Sequence, residues 1–555
     1  MDIFKNLTFL KPLPLPFSYE EWKSKPYHER VKMLCIAWAT QGYGAPISVY
    51  IFYILKIIFY IAMWLFFCSF NASLSTVGNI STWIFEIEAL QIAILWSIVF
   101  EILGFGCGSG PLTARYMPPF GAFLHFLRVG TIKMPFFQNI PLLNSDKRNF
   151  LDVFLYLGFL FYAFKALVSP EITIDLILPI VILLPILGIL DKTIFLAARS
   201  EHYLIALICF LFPYDTISGL KIVWLAIWWG AASSKLNRHF STVVGVMISN
   251  HAVLRFPFLR KKMYVNYPTD LRPSQFSKVL AHLGTATEYF FPLLLIFGGG
   301  NEMTMIGLFI MLGFHIYITS SVPMGVPLEW NFLMVYGAFL LFGHEAETWI
   351  FSVQHNYLIT ILTFSLLLLP ILGNLFPKWI SFLVSMRYYA GNWAYSVWLF
   401  KENGAEEKMD IHLKKVNLTL DKQLSMFYKK EEYETLAAKV IAFRHSHLHG
   451  RALHDLIPKA VDDIEKYVYR DGEIIAGIAL GWNFGDGHLH NEQLLKSIQK
   501  RCNYESGELR CIFVESQPLF KPYMEWHIFD AKEGLLEKGK VNVKDLTERQ
   551  PWPAK

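Results

Sequence analysis

The sequence is poor in charge and in patterned cysteine, and both shortages exclude classes of protein. Charged residues make up only 17% of the chain, against 54% hydrophobic residues, well below the charged share of soluble domains. The six cysteines form no CxxC pair and no regular spacing, so we expect no disulfide framework. The net charge of +5 over 555 residues is too small to indicate binding to nucleic acid. The sequence also lacks HExxH, and its charged, proline-rich start is unlike a signal peptide.

What the sequence has in abundance is long apolar runs. A helix needs about 20 mostly apolar residues to cross a bilayer. Ten runs approach or reach this length: 47–70, 84–105, 150–168, 174–190, 203–213, 222–236, 279–297, 303–321, 331–342 and 357–376. The runs 203–213 and 331–342 are short by this criterion. We therefore expect an α-helical polytopic membrane bundle with roughly eight to ten transmembrane helices.

Composition divides the chain into four parts. Residues 1–46 carry aromatic residues among basic ones, which fits an interfacial arm, although an ordinary solvated arm fits equally well. The bundle occupies 47–376, and an interfacial linker follows at 377–400. In 401–555 charges become dense and both strand and helix periodicities appear, which indicates a small α+β soluble domain. Within this domain, Asp471-Gly472 predicts a hairpin.

Lysine and arginine are unevenly distributed among the loops. They concentrate in the N-terminal arm, between the second and third runs, and in the connector after Lys235, whereas the loops that begin at Asn71 and Gly298 contain none. Cytoplasmic loops carry such an excess. With ten crossings all three basic segments lie on one side, so we expect both termini to be cytoplasmic.

Ionisable residues interrupt the apolar runs between 221 and 342. Lys235, His282, Glu288, His315 and Glu329 lie in or against runs long enough to span a bilayer. Such groups are costly in hydrocarbon and therefore face a bundle interior or a watery cavity, which makes them candidates for a functional site. Structural roles without function are the alternatives. A lysine at the end of a span can extend to the membrane interface, and polar residues can join helices as structural contacts.

The succession WGAASSKLNRHF, AHLGTATEYFFPLLLI and GFHIYITSS resembles the membrane domain of vitamin K-dependent γ-carboxylases and their bacterial relatives, the HTTM domain. With GCGSGPLTARYMPPFGAFLHFLRVGTIKMPFF and SSVPMGVPLEWN, the chain is similar to a bacterial group of integral membrane proteins that resembles this domain. The resemblance implies a bacterial cytoplasmic membrane and a quinone-like cofactor. It also implies that Lys235 is the base, with His282, Glu288 and His315 at matching positions.

The chain also departs from the carboxylases. His239-Phe240 stands where an aspartate-tryptophan pair would follow, and the C-terminal part bears no visible likeness to their lumenal region. Glutamate carboxylation is therefore not implied. What remains is a fold and a site for proton abstraction, a task that suits a buried lysine because burial disfavours the ammonium form.

A glycine-rich stretch follows the second apolar run. GFGCGSGP contains Gly106, Gly108 and Gly110, with Arg115 and Arg128 downstream. It lacks the strand-before, helix-after context of a dinucleotide fingerprint. Successive backbone amides in such a turn can bind an anion, so a lipid headgroup is one candidate ligand and a simple tight turn is the alternative.

Histidines cluster in two stretches of the C-terminal part. His445 and His449 are four residues apart and would share one face of a helix. His488 or His490, with Asp486, could supply a third ligand, and three protein ligands with an open position make a catalytic metal site. The alternatives are solvated histidines and binding of an acidic headgroup after protonation.

Three hypotheses of function follow. The first is a membrane enzyme that abstracts a proton from a lipid or quinone-like substrate, with Lys235 as base. The second is a lipid-binding or transport protein that uses the same groups without catalysis. The third is a scaffold whose C-terminal domain holds a divalent metal. All three involve membrane lipids or a lipophilic small molecule, and the sequence does not predict an oligomeric state.

Overall fold

The protein is described by a computed structural model, which covers residues 7–74, 77–107, 120–251, 256–321, 327–388 and 391–553. Up to residue 376 the chain is helical apart from a small hairpin. The helices are α1 (Tyr19–Lys23), α2 (Tyr27–Gln41), α3 (Ile47–Cys68), α4 (Ile80–Trp83), α5 (Ile87–Ile102), α6 (Gly121–Leu127), α7 (Phe150–Leu167), α8 (Ile174–Leu190), α9 (Lys192–Ala197), α10 (Tyr203–Cys209), α11 (Thr216–Ser233), α12 (Phe240–Asn250), α13 (Pro257–Met263), α14 (Gln275–Phe297), α15 (Glu302–Ser321), α16 (Leu328–Ala338), α17 (Asn356–Leu362) and α18 (Leu369–Leu375). The hairpin pairs β1 (Tyr264–Asn266) with β2 (Asp270–Pro273). Short π-helical turns at Phe339–His344 and Thr363–Leu368 extend α16 and join α17 to α18.

Five of the described helical segments are long and apolar enough to cross a membrane: α3, α7, α14, α15 and the continuous segment Asn356–Leu375. Their surfaces agree with this assignment. One face of α3 exposes Ile54 and Leu55, while Tyr60 and Trp64 on the other face are buried. A helix with one apolar exposed face and one packed face is suited to lipid contact on the outside and protein contact on the inside.

Other apolar helices lie inside the protein. Every residue of α5 from Ala89 to Ile102 is buried, and α10 and α11 are also largely buried. A helix that is apolar on all sides belongs in the core of a large bundle or in a membrane, and the sequence alone does not separate these cases. The expected number of eight to ten crossings is therefore not confirmed.

The C-terminal part mixes strands and helices, as predicted. Its elements are β3 (Tyr395–Lys401), α19 (Glu407–His412), α20 (Leu420–Leu424), α21 (Lys430–Ser446), α22 (Leu448–Ala460), β4 (Tyr467–Asp471), α23 (Gly472–Leu480), α24 (Glu492–Cys502), β5 (Leu509–Val514), β6 (Tyr523–Asp530), β7 (Gly534–Asn542) and α25 (Val543–Glu548). The strands form one antiparallel sheet in the order β4-β3-β5-β6-β7. Helix α24 follows Asn491, whose side chain accepts a hydrogen bond from the Gln493 amide at the start of the helix.

The predicted hairpin at Asp471-Gly472 is wrong. β4 ends at Asp471, and the following apolar run forms the buried helix α23 instead of a second strand. The Asp471 side chain caps this helix by accepting a hydrogen bond from the Glu473 amide. A short apolar run does not distinguish a buried strand from a buried helix, and here the capping aspartate decides in favour of the helix.

The C-terminal part packs directly on the membrane region. Strand β3 is buried on both faces: Val397 and Leu399 pack with α22, whereas Trp398 and Phe400 join the core that continues into the membrane helices. Arg128 donates a hydrogen bond to the Lys415 carbonyl at 2.6 Å. The N-terminal α2 packs against α21, so it is neither a free solvated arm nor an isolated interfacial helix. The limits drawn at residues 376 and 401 stay a prediction.

Candidate functional site

Lys235 and Glu288 form a buried ion pair within the membrane region. Lys235 follows the end of α11 and Glu288 lies in the middle of α14, and these helices pack on one another. The Lys235 Nζ is 2.5 Å from Glu288 Oε2, and the two side chains are 3% and 4% exposed. Phe240 and Phe314 hold their rings within 6 Å of the ammonium group. The pair is therefore enclosed by protein and aromatic rings, which excludes simple snorkelling of Lys235 to the interface.

His315 directly follows Phe314, whose ring centroid is 5.4 Å from the Lys235 Nζ. Both ring nitrogens of His315 are hydrogen-bonded. Trp228 Nε1 lies 3.2 Å from His315 Nε2, and Asn331 Oδ1 lies 2.7 Å from Nδ1. The Asn331 amide group in turn donates to the Pro327 carbonyl. The structure thus pairs Lys235 with Glu288, whereas His315, on the neighbouring helix α15, is bonded to Trp228 and Asn331.

The other two predicted residues lie elsewhere. His282 is exposed on α14, because six residues at 100° each turn it about 240° away from Glu288. Glu329 is buried, but its basic neighbour is Lys56 on α3, whose Nζ is 3.4 Å from Glu329 Oε2. The five predicted residues therefore do not share one chamber, and Glu329 belongs to a second charged cluster.

An apolar groove of about 720 Å³ is formed in part by α11 and α14, the two helices that the Lys235–Glu288 pair connects. Its walls come from α11, α14 and the segment 350–375, with Leu519 of the C-terminal part at one end. Ser233 lines the groove, and its hydroxyl is 2.7 Å from that of Tyr289. These two residues stand next to the ion pair in sequence, Ser233 two positions before Lys235 and Tyr289 directly after Glu288. The groove thus shares α11 and α14 with the pair, although neither Lys235 nor Glu288 lines it.

Of the second charged cluster, sequence reasoning found only Glu329. The cluster contains Lys56, Glu101, Arg199, Glu201 and Glu329, all of them buried. Arg199 Nε donates to Glu201 Oε1 at 2.9 Å, and Arg199 Nη1 is 3.9 Å from Glu101 Oε1. A signal was present, because Lys56 and Glu101 interrupt the first two apolar runs just as Lys235 and Glu288 interrupt later ones.

The predicted headgroup site is only partly described. Gly108, Gly110 and Arg115 lie outside the described residues. The Gly106 carbonyl accepts a hydrogen bond from Lys56 Nζ at 2.9 Å. Arg128 is engaged by the Lys415 carbonyl of the C-terminal part, so its guanidinium makes a structural contact. The described residues therefore add no support for headgroup binding.

The predicted histidine site is not assembled. His445 lies in the last turn of α21 and His449 in the first turn of α22, and the extended residue His447 separates the two helices. The expectation that the first two share a helix face is therefore wrong. Within the described part of the chain, no three of the predicted histidine and aspartate ligands come together as a group.

Three of these histidines, His445, His488 and His490, have separate hydrogen-bond neighbours instead. His445 Nδ1 is 3.2 Å from His454 Nε2, His488 Nε2 is 2.8 Å from Glu515, and His490 Nδ1 is 2.7 Å from the Ser396 hydroxyl. Burial lowers the pKa of His445 to about 3. Burial, together with the nearby Arg444 and His488, lowers the pKa of His490 to about 3 as well. These two rings are neutral near pH 7, which does not favour headgroup binding by protonated histidine.

The apolar spans with exposed faces and the charge buried between helices define an integral membrane protein. The chain belongs to the family described as transmembrane protein of unknown function (DUF3556), whose model matches residues 7–555. No curated protein and no solved structure matches the chain. The comparisons thus support membrane insertion and show no link to the HTTM domain or the carboxylases.

Proposed function

We propose that this protein is a membrane enzyme that admits a lipid or quinone-like substrate into the apolar groove and transfers a proton with the Lys235–Glu288 pair. The observation that carries the proposal is the position of the groove. It is bounded by α14 and Asn356–Leu375, which are both apolar enough to face lipid. Its lining includes Ser233, which is hydrogen-bonded to Tyr289. In sequence these two residues stand beside Lys235 and Glu288.

The groove suits a lipophilic occupant. Its lining is dominated by residues such as Leu225, Leu293, Ile296 and Leu366. A polar molecule would lose its hydrogen bonds to water there without replacing them, whereas an acyl or isoprenoid chain would bury apolar surface at a gain of about 25 cal/mol per Å². The volume lies within the range of small-molecule sites.

The ion pair supplies a way to move a proton. Transfer of the Lys235 proton to Glu288 would leave a neutral amine and a neutral acid, and apolar surroundings reduce the cost of that state relative to two charges. The amine lone pair can then take a proton from an acidic group of the substrate, such as a quinol hydroxyl, which leaves the substrate as its anion beside the new ammonium. His315, already hydrogen-bonded at both nitrogens, would position this pair.

Lipid binding without catalysis is the second candidate. It is favoured by the closed geometry of the pair, since Lys235 Nζ already has a carboxylate at 2.5 Å. In that case the pair would join α11 to α14 as a structural contact, and the groove would serve to carry or present a lipid.

Lipid analysis of cells with and without the gene distinguishes the two candidates. An enzyme predicts that one lipid or quinone species disappears or accumulates when the gene is absent. Wild-type protein restores the normal level of this species. Neither Lys235→Met nor Glu288→Gln restores it, although both variants reach the membrane. If the two variants restore the wild-type lipid profile in full, proton transfer by the pair is wrong and lipid binding alone remains.

A further inference from the structure

A buried carboxylate–thiol cluster lies apart from the groove. Glu101 comes from the last turn of α5, Cys107 from the turn that follows, and Glu329 from the first turn of α16. We propose that these three side chains bind one divalent first-row transition metal ion, of which zinc is the simplest case. The site lies among the membrane helices, and it does not depend on the function proposed for the groove.

The distances fit a single ion. The candidate ligand atoms of Glu101, Cys107 and Glu329 all lie within 4.8 Å of one another. Glu101 Oε2 and Cys107 Sγ are 3.5 Å apart. Oxygen and sulfur ligands of a tetrahedral zinc ion lie at about 2.1 and 2.3 Å from the metal, which puts them about 3.6 Å from each other. A small movement of Glu329 completes a set of three ligands.

The carboxylates have unused acceptor atoms. Both oxygens of Glu329 and Oε1 of Glu101 lack a hydrogen-bond donor among the residues that the structure describes, and the two residues are 1% and 0% exposed. Lys56 stands near Glu329 but directs its hydrogen bond to the Gly106 carbonyl. A buried carboxylate oxygen without a donor is expensive, and a bound cation satisfies it.

The charges of the neighbouring residues also favour a bound cation. Arg199 is neutralised by Glu201 at 2.9 Å, and Lys56 offsets one of the two remaining carboxylates. One negative charge is left over. Arg199 Nη1 also donates to Cys107 Sγ at 3.3 Å. A bound cation would compensate the remaining negative charge.

The ligand types select the class of metal. A thiolate with two carboxylates suits zinc and its first-row neighbours better than magnesium or calcium, which prefer all-oxygen sets. Three protein ligands leave a fourth position for water or another ligand, the arrangement of catalytic zinc sites. The alternative way to neutralise the two carboxylates is a shared proton, and the experiment separates the two.

The test uses the full-length protein purified in detergent without chelator, and measures metal by mass spectrometry. The proposal predicts about one zinc or related ion per chain. Cys107→Ser and Glu329→Gln lose about tenfold or more in metal content, while Cys209→Ser, which alters a buried thiol elsewhere, keeps it. Exchange for cobalt adds a thiolate-to-cobalt absorption band that is present in the wild type and absent in Cys107→Ser.

Two results would overturn the proposal. One is wild-type protein that holds no stoichiometric metal and shows no cobalt–thiolate band after loading, which would favour the shared proton. The other is retention of metal and band by monodisperse Cys107→Ser. If the variants do not fold, cobalt loading of the wild type alone tests the proposal. A cobalt–thiolate band then reports on Cys107, the thiol of this ligand group.

Discussion

Trp228 donates its indole N–H to Nε2 of His315 across 3.2 Å. Because an indole nitrogen can only donate, Nε2 is the acceptor and the ring proton belongs on Nδ1. That proton faces Asn331 Oδ1 at 2.7 Å. His315 is therefore held as one neutral tautomer with both ring nitrogens hydrogen-bonded.

The Trp228–His315 bond predicts the effect of Trp228→Phe. The variant leaves Nε2 of a buried histidine without a donor, at a cost of about 1–3 kcal/mol, in addition to some lost packing. We expect a lower thermal midpoint for the detergent-purified protein. Trp349→Phe, at a position 45% exposed, serves as control and should change the midpoint little. Equal midpoints for Trp228→Phe and wild type would show that the bond is not made.

The Lys235–Glu288 pair predicts a non-additive double substitution. Lys235→Met alone leaves Glu288 buried without its partner, and breaking such a pair costs about 3–5 kcal/mol. Replacing both residues by methionine removes the unpaired charge, so the double variant should recover most of the lost stability while it remains inactive. Thermal unfolding of the four proteins gives the coupling. A double variant that is less stable than either single variant contradicts a direct pair.

The contact between His488 and Glu515 predicts a dependence on pH. Burial alone would lower the pKa of His488, but the Glu515 carboxylate outweighs burial and raises it. Burial would raise the pKa of Glu515, and His488 brings it below its ordinary value. The stabilisation by His488 is therefore complete below its unfolded pKa of about 6.5 and is lost as the pH rises through the higher folded value.

His488→Gln should accordingly lower the thermal midpoint more at about pH 5.5 than at about pH 9. The lower value stays above the unfolded pKa of glutamate, about 4.3, so that Glu515 remains ionised. His412→Gln, at an exposed position of α19, is the control and should give the same small difference at both pH values. A midpoint difference for His488→Gln that does not shrink toward high pH would contradict the ionised pair.

The sequence predicted those parts of the site that depend on local pattern. Lys235, Glu288 and His315 were found because each interrupts an apolar run, and burial of charge in such a run has few explanations. Their partners were not found, because contacts such as Trp228 to His315 join residues 87 positions apart. The groove was also missed, since its walls come from helices that are distant in sequence.

The wrong predictions have physical causes. His445 and His449 have the spacing of one helix face, but the chain bends at His447 between α21 and α22. Asp471-Gly472 has the composition of a hairpin turn, but Asp471 instead caps the buried helix α23. In both cases tertiary packing overrides a local pattern.

The central claim, that the groove holds a lipophilic molecule, is tested by native mass spectrometry of the purified protein. Ala226→Trp places an indole in the groove, and Leu283→Trp places one on the exposed face of α14. We predict a co-purified lipid on the wild type and on Leu283→Trp, and its loss from Ala226→Trp. The same lipid on all three proteins, or none on the wild type, would contradict the account.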